Sequence, residues 1–288
     1  MEIGIFAKTF QRSGIAANLD AVVDLGLTAT QYNLSCAGLP TLPDAISLEQ
    51  CTEIRDAHHA RGLSMVALSA TFNVIDRDIA RREANLRRLD LLAAASESLG
   101  TNTLTLCTGT CDPRDMWKWH PDNASTDSWR QLVTSMHRIA AMGEKHRVTM
   151  AIEPERNNVV DSAQKARLLL DEIDSPRLKI VLDGANLIDS SDRARMRDAL
   201  HEGVELLAPD IVLAHAKDCP PHDGVQVQTA GRGRLDYEIY LHELMHGGFT
   251  GPLVLHGLEE REALTCSRFL RAKLASISQR YATEAPLA

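Results

Sequence analysis

The sequence predicts a single-domain α/β protein, a (β/α)8 barrel covering residues 1–288. Three observations lead there. Short apolar or β-branched runs alternate with amphipathic segments eight times along the chain. One strand-plus-helix unit takes roughly 30 residues, the size of a βα repeat. No Gly/Ser-rich linker, low-complexity tract or change of composition interrupts the series. A chain of 288 residues with 44% hydrophobic content can bury one large core. An open doubly wound sheet would alternate in the same way, but it usually begins with a Gly-rich turn, and AKTFQRSG at 7–14 is not one.

Strands are expected at 2–6 (EIGIF), 28–33 (TATQYN), 64–70 (SMVALSA), 103–107 (TLTLC), 148–153 (VTMAIE), 178–183 (LKIVLD), 210–215 (DIVLAH) and 252–256 (PLVLH). Helical period fills the intervals. In 77–99, Ile79, Leu86, Leu89 and Ala93 make one stripe, with Asp76 as the expected cap and Gly100 as the stop. In 126–143 the stripe is Trp129, Val133, Met136 and Ala140. In 161–173, Asp161 or Ser162 can cap, and Pro176 lies just past the end, where a helix could not continue.

The formal charge of −8 disfavours a nucleic-acid partner, because phosphate backbones are bound by clustered Lys and Arg. The start, MEIGIFAKTF, lacks the basic and long apolar regions of a secretory signal, and no run is long enough to span a bilayer. A cytoplasmic protein is the expectation. The six cysteines include no Cys-x-x-Cys pair, so they read as reduced thiols.

Active sites of (β/α)8 barrels gather where strands exit at the C-terminal face. Strand five ends on Glu153, strand six on Asp183, strand seven on His215 and strand eight on His256. A strand-end carboxylate is commonly a helix cap and a lone His commonly structural, but four consecutive strands delivering O or N donors to one rim reverse that expectation. Two carboxylates and two imidazoles suit manganese, cobalt, iron or zinc, while magnesium, also a candidate, prefers an all-oxygen shell. The other histidines offer a control. His58, His59, His137, His146, His201, His242 and His246 fall in helical stretches, and His120 and His222 in loops.

The motifs IEPE (152–155), LDxAN (182–186), HAKD (215–218), GRGRLDY (231–237) and GFTGPLVLHGLEE (248–260) resemble the sugar phosphate isomerase/epimerase superfamily, the xylose-isomerase-like TIM barrels. The superfamily includes ketose 3-epimerases, hydroxypyruvate isomerase, inosose dehydratase and, more distantly, metal-dependent AP endonucleases. The resemblance implies one divalent ion held by Glu153, Asp183, His215 and a strand-eight residue, with a ketose, sugar phosphate or related polyol ketone as substrate. Glu153 would be the base that forms an enediolate. In the epimerases the strand-eight position is a second glutamate, and here it is His256. Either His256 is the second acid/base, or Glu259 folds back, or the chemistry is a one-base isomerisation or a dehydration of an inosose-type ketone. A non-catalytic sugar-binding barrel is the further alternative. An AP endonuclease would need more histidines at the early strand ends, where ALSATF and LCTGT have none. The resemblance admits a homo-oligomer.

Further candidates surround this set. Asn186, Lys217 and Asp218 are expected near a substrate oxygen or behind the ligands. Arg232, between two glycines, could hold a phosphate or carboxylate. The long loop after strand four carries Trp117, Trp119 and His120, a candidate lid whose aromatic faces could stack on a sugar.

Overall fold

The computed structural model describes residues 1–188, 195–219 and 229–284. His222 lies outside them. Eight parallel strands close in sequence order into a barrel. They are β1 (Ile3–Phe6), β2 (Ala29–Tyr32), β3 (Ser64–Ser69), β4 (Thr103–Cys107), β5 (Thr149–Glu153), β6 (Leu178–Asp183), β7 (Ile211–Ala216) and β8 (Leu253–Leu255). The helices are α1 (Ile15–Val23), α2 (Leu48–His59), α3 (Ile79–Leu99), α4 (Thr126–His146), α5 (Ala163–Ile173), the single turn α6 (Gly184–Leu187), α7 (Met196–Leu207), α8 (Tyr237–His246) and α9 (Glu260–Glu284). No helix among the described residues is long and apolar enough to cross a membrane.

Strand alternation creates two apolar layers. Outward side chains such as Leu104, Ile152, Leu182 and Leu253 meet the helices in the main core. Inward side chains Ala67, Ala151, Val181, Leu213 and Val254 form a small separate cluster inside the barrel. Because side chains repeat with period two, the residues two places on from Ala151, Val181, Leu213 and Val254 again face inward. Those residues are Glu153, Asp183, His215 and His256. The sequence therefore plugs the barrel with apolar side chains and sets polar ones directly above the plug.

Helix ends follow local chemistry. Ser162 caps α5, its hydroxyl accepting from the Lys165 amide. For α3 the expected cap, Asp76, is replaced by Asp78, whose carboxylate accepts from the Arg81 amide at 3.0 Å. Asp76 is engaged instead by the Asp78 amide and the Arg81 guanidinium. The stripe on α4 is as expected but the helix runs on to His146, where Arg147 turns left-handed at φ 58 and closes it.

Candidate metal and substrate site

The ladder register sets the height of each polar side chain. Asp183 on β6 pairs directly with His215 on β7. On β8, Leu255 pairs with Ala216, so His256 leaves the barrel two residues above His215, level with Lys217. The ligating atoms of Glu153, Asp183 and His215 lie within 4.8 Å of one another.

Each member of this triad is held by a partner. His215 Nδ1 is 3.1 Å from Glu153 Oε1, and its Nε2 is 2.7 Å from Gln31 Oε1 at the end of β2. The Gln31 amide nitrogen donates to Thr105 Oγ1 at 3.2 Å, so only its oxygen is left to face the ring. That fixes a proton on Nε2 and turns Nδ1 toward the carboxylates. Asp183 accepts the Ala185 amide at 2.9 Å through Oδ1, capping α6. Its Oδ2 is 2.9 Å from Lys217 Nζ, a close ion pair outside hydrogen-bonding alignment. Asn186 ties the set together. Its amide donates to Glu153 Oε1 at 3.1 Å, and its oxygen accepts from Lys217 Nζ at 3.1 Å.

Buried charges decide the protonation states. Burial would raise the Glu153 carboxyl, but its neighbours, His215 and the Lys217 ammonium, outweigh it and hold it below the ordinary carboxylate value. Asp183 is raised by burial and by Glu153, with Lys217 opposing. Lys217, which burial alone would discharge, is kept above its ordinary value by Asp183, Glu155 and Glu153. Two carboxylates and an imidazole lone pair, with a buried Asp183 oxygen lacking a hydrogen bond, fit a divalent first-row ion.

His256 is brought beside this triad but is not one of the three converging groups. Its ring stacks on His215 with centroids 4.7 Å apart and leans on Phe6 at 5.5 Å. Nδ1 is buried and has no hydrogen-bond partner. Burial, reinforced by His215 and Lys217, pushes its pKa down to about 3, so the imidazole is neutral. Glu259 is exposed and pairs with Arg261 at 2.8 Å.

The family model for xylose isomerase-like TIM barrels matches residues 19–273, nearly the whole chain. The chain belongs to that family. Solved structures agree on the fold at low identity. A D-tagatose 3-epimerase-like protein superposes with a TM-score of 0.78 at 14% identity, covering 98% of this chain and 100% of its own. L-ribulose 3-epimerase gives 0.76 at 15% identity, covering 100% of both chains. The probable 3-DHS dehydratase from Bacillus anthracis gives 0.72 at 15% identity, covering 94% of this chain and 99% of its own. No curated protein matches the sequence.

In this xylose isomerase-like barrel further residues, beyond those expected, lie around the triad. Glu155, the second acid of IEPE, sits on the turn after Pro154, where its amide bonds the Val160 carbonyl at 3.0 Å. Burial first, then Glu153 and Asp183, raise its carboxyl to about 8, against the pull of Lys217 and Asn186. The repeated acid in the motif was the available clue, but Glu and Pro at a strand exit also suit an ordinary turn. Gln31 was hidden by its ordinary amide chemistry and distance along the chain. The Tyr240 hydroxyl, 3.0 Å from both the Leu182 and His215 carbonyl oxygens, and the Tyr237 hydroxyl, 2.9 Å from that of Lys217, brace the strand exits from α8.

Other expected residues take different places in the family barrel. The Asp218 carboxylate accepts four backbone amides, from Cys219, Gly231, Gly233 and Leu235, at 2.8–3.0 Å. It organises the loop after β7 and does not face the triad's opening. Gly233 is required there, since a Cβ would lie 2.0 Å from the Cys219 carbonyl oxygen. Arg232 is exposed on the same loop. Trp119 is half exposed, and His120 Nδ1 accepts the Asp122 amide at 3.2 Å, capping a short turn. Among the described residues no hydrogen bond, ion pair or ring contact joins Trp119 or His120 to the triad. Their loop is pinned to the β5 exit instead, by Asn123 to the Asn157 carbonyl and Asn157 to the Trp117 carbonyl.

Proposed function

We propose that this protein is a divalent-metal-dependent sugar isomerase/epimerase acting on a polyol ketone, with Glu153 as the base. The observation that carries the reading is the convergence of Glu153, Asp183 and His215 at the C-terminal mouth of the barrel. These three would hold the ion, with His256 the nearest further imidazole. A divalent ion bound there would acidify the carbon between two substrate oxygens and stabilise the enediolate. The Asn186 amide donates to Oε1 of Glu153, which orients the carboxylate and leaves Oε2 for proton transfer. Lys217 keeps the surrounding carboxylates compatible with one another. Gln31 fixes the His215 tautomer.

The placement of proton donors favours chemistry on one face of the substrate. Glu153 ends β5 and Glu155 follows on the next turn, one with its carboxyl lowered and one raised, the division expected of a base and an acid. On the β8 side His256 is neutral and Glu259 is paired with Arg261. One-base isomerisation therefore fits better than a two-glutamate epimerisation. The protonated Glu155 also supports a second reading, a dehydratase in which it protonates a leaving hydroxyl.

Elemental analysis of protein purified without chelator is expected to find close to one divalent ion per chain. Incubation with ketoses and inososes in deuterated water is expected to place deuterium beside the carbonyl without loss of water. Loss of water would select the dehydratase. Absence of both ion and exchange would leave a sugar-binding barrel.

A further inference from the structure

A cleft of about 630 Å³ opens beside the triad, between the exits of β1, β7 and β8. Its lining includes Phe6, Lys8 and Thr9 after β1, Thr229 and Arg232 after β7, and His256 after β8. His256 joins the cleft to the triad, since the same ring lines the cleft and stacks on His215. Such a volume suits a sugar-sized ligand.

The charges around the cleft are not balanced. Arg261 is neutralised by Glu259. Glu262 accepts the Thr229 hydroxyl at 2.7 Å and the Glu259 amide at 3.1 Å, both through Oε2, and its carboxylate is held below its ordinary value by the Thr229 bond first and in part by Arg232 and Arg261. Against that one carboxylate stand two cations, Lys8 and Arg232, both exposed and neither in an ion pair among the described residues, so the cleft keeps an excess of positive charge. The backbone that carries Arg232 is firmly mounted. Gly231 and Gly233 on either side both donate their amides to the buried Asp218 carboxylate, which fixes the loop. A fixed loop spares the backbone part of the ordering cost of binding, and a guanidinium fork matches the geometry of phosphate and carboxylate.

We infer that this cleft is an anion subsite, in which Lys8 and Arg232 hold a phosphate or carboxylate at the far end of a polyol-ketone substrate whose carbonyl end lies at the triad. The inference rests on the proposed function for the identity of that substrate. It assigns the protein to acidic or phosphorylated sugars in preference to neutral ones.

Calorimetric titration with D-fructose, D-fructose 6-phosphate, D-fructuronate and inorganic phosphate tests it, using manganese-loaded and EDTA-treated protein. At least one of the two acidic sugars is expected to bind tenfold or more tightly than fructose, and which one does identifies the anion. The Lys8→Ala/Arg232→Ala double variant, with an unchanged melting temperature, is expected to lose that preference. Equal binding of all three sugars, or a preference that survives the double variant, would overturn the subsite. The two readings fail separately. Phosphate binding by EDTA-treated protein that depends on Lys8 and Arg232 supports the subsite even if no manganese binds, whereas manganese binding without any anion preference removes the subsite and spares the metal site.

Discussion

Gln31 and His215 are 184 positions apart in sequence, yet their side chains meet at 2.7 Å inside the barrel. The contact joins β2 to β7 across the barrel interior and decides which imidazole nitrogen faces the carboxylates. A neutral ring left to itself could present either nitrogen.

Gln31→Leu removes that acceptor while roughly keeping the volume. Manganese affinity, measured by calorimetry, is expected to fall about 10- to 100-fold, the usual cost of losing a partner that orients a ligating histidine. Gln31→Glu keeps an acceptor and is expected to retain binding. Equal affinity in the leucine variant would show that His215 needs no such orientation.

His256→Glu puts a carboxylate on the β8 side, where the neutral imidazole now stands. Positioned acid–base groups contribute about 10²–10⁴-fold, so 3-epimer formation is expected to rise at least tenfold over the parent, read by chromatography of the ketose products. No change would mean that the imidazole is not what restricts the reaction to one face.

Glu155→Gln separates the acid from the ligands. Manganese binding is expected to survive, and kcat to fall by roughly 10²-fold or more. Burial and Glu153 raise the Glu155 carboxyl to about 8, so its acid form predominates below that pH. Activity that needs this proton is therefore expected to decline as pH rises through about 8, and the variant to lose that alkaline limb. Glu153→Gln is expected to abolish both metal binding and turnover.

Asp76 links the β3 exit to α3. Burial would raise its carboxyl, but Arg81, the Asp78 amide and Arg82 together hold it below the ordinary value. A folded-state value below the unfolded one gives stability that is present at neutral pH and lost as pH falls through the folded value. Asp76→Asn is expected to cost about 1–3 kcal/mol at pH 7, the range for a buried charged hydrogen-bonded group. The difference from the parent is expected to shrink in acid, as followed by urea unfolding between pH 7 and pH 3. A difference that stays constant would assign the effect to shape alone.

Much of this was legible from residue order. The eight strands fall within two residues of the expected limits, because a strand buried on both faces reads as a continuous apolar run. Glu153, Asp183 and His215 could be picked out because each ends such a run, where an ionisable side chain is costly unless partnered. Asp218 could not be assigned from sequence. Its spacing from His215 suits a site residue, and only the returning loop 229–235 shows that its carboxylate is filled by backbone amides.

The sequence by itself determined the barrel, its inner apolar plug and the polar tier above it, since period-two alternation and strand-end chemistry are local properties of the chain. Only the tertiary structure decided which members of that tier converge. Strand register placed His256 two residues above His215, and closure of the barrel brought Gln31 from β2 against β7. Burial shared among neighbours then divided Glu153 from Glu155 into ionised and protonated forms, because the field at each carboxyl is the sum over side chains from other strands.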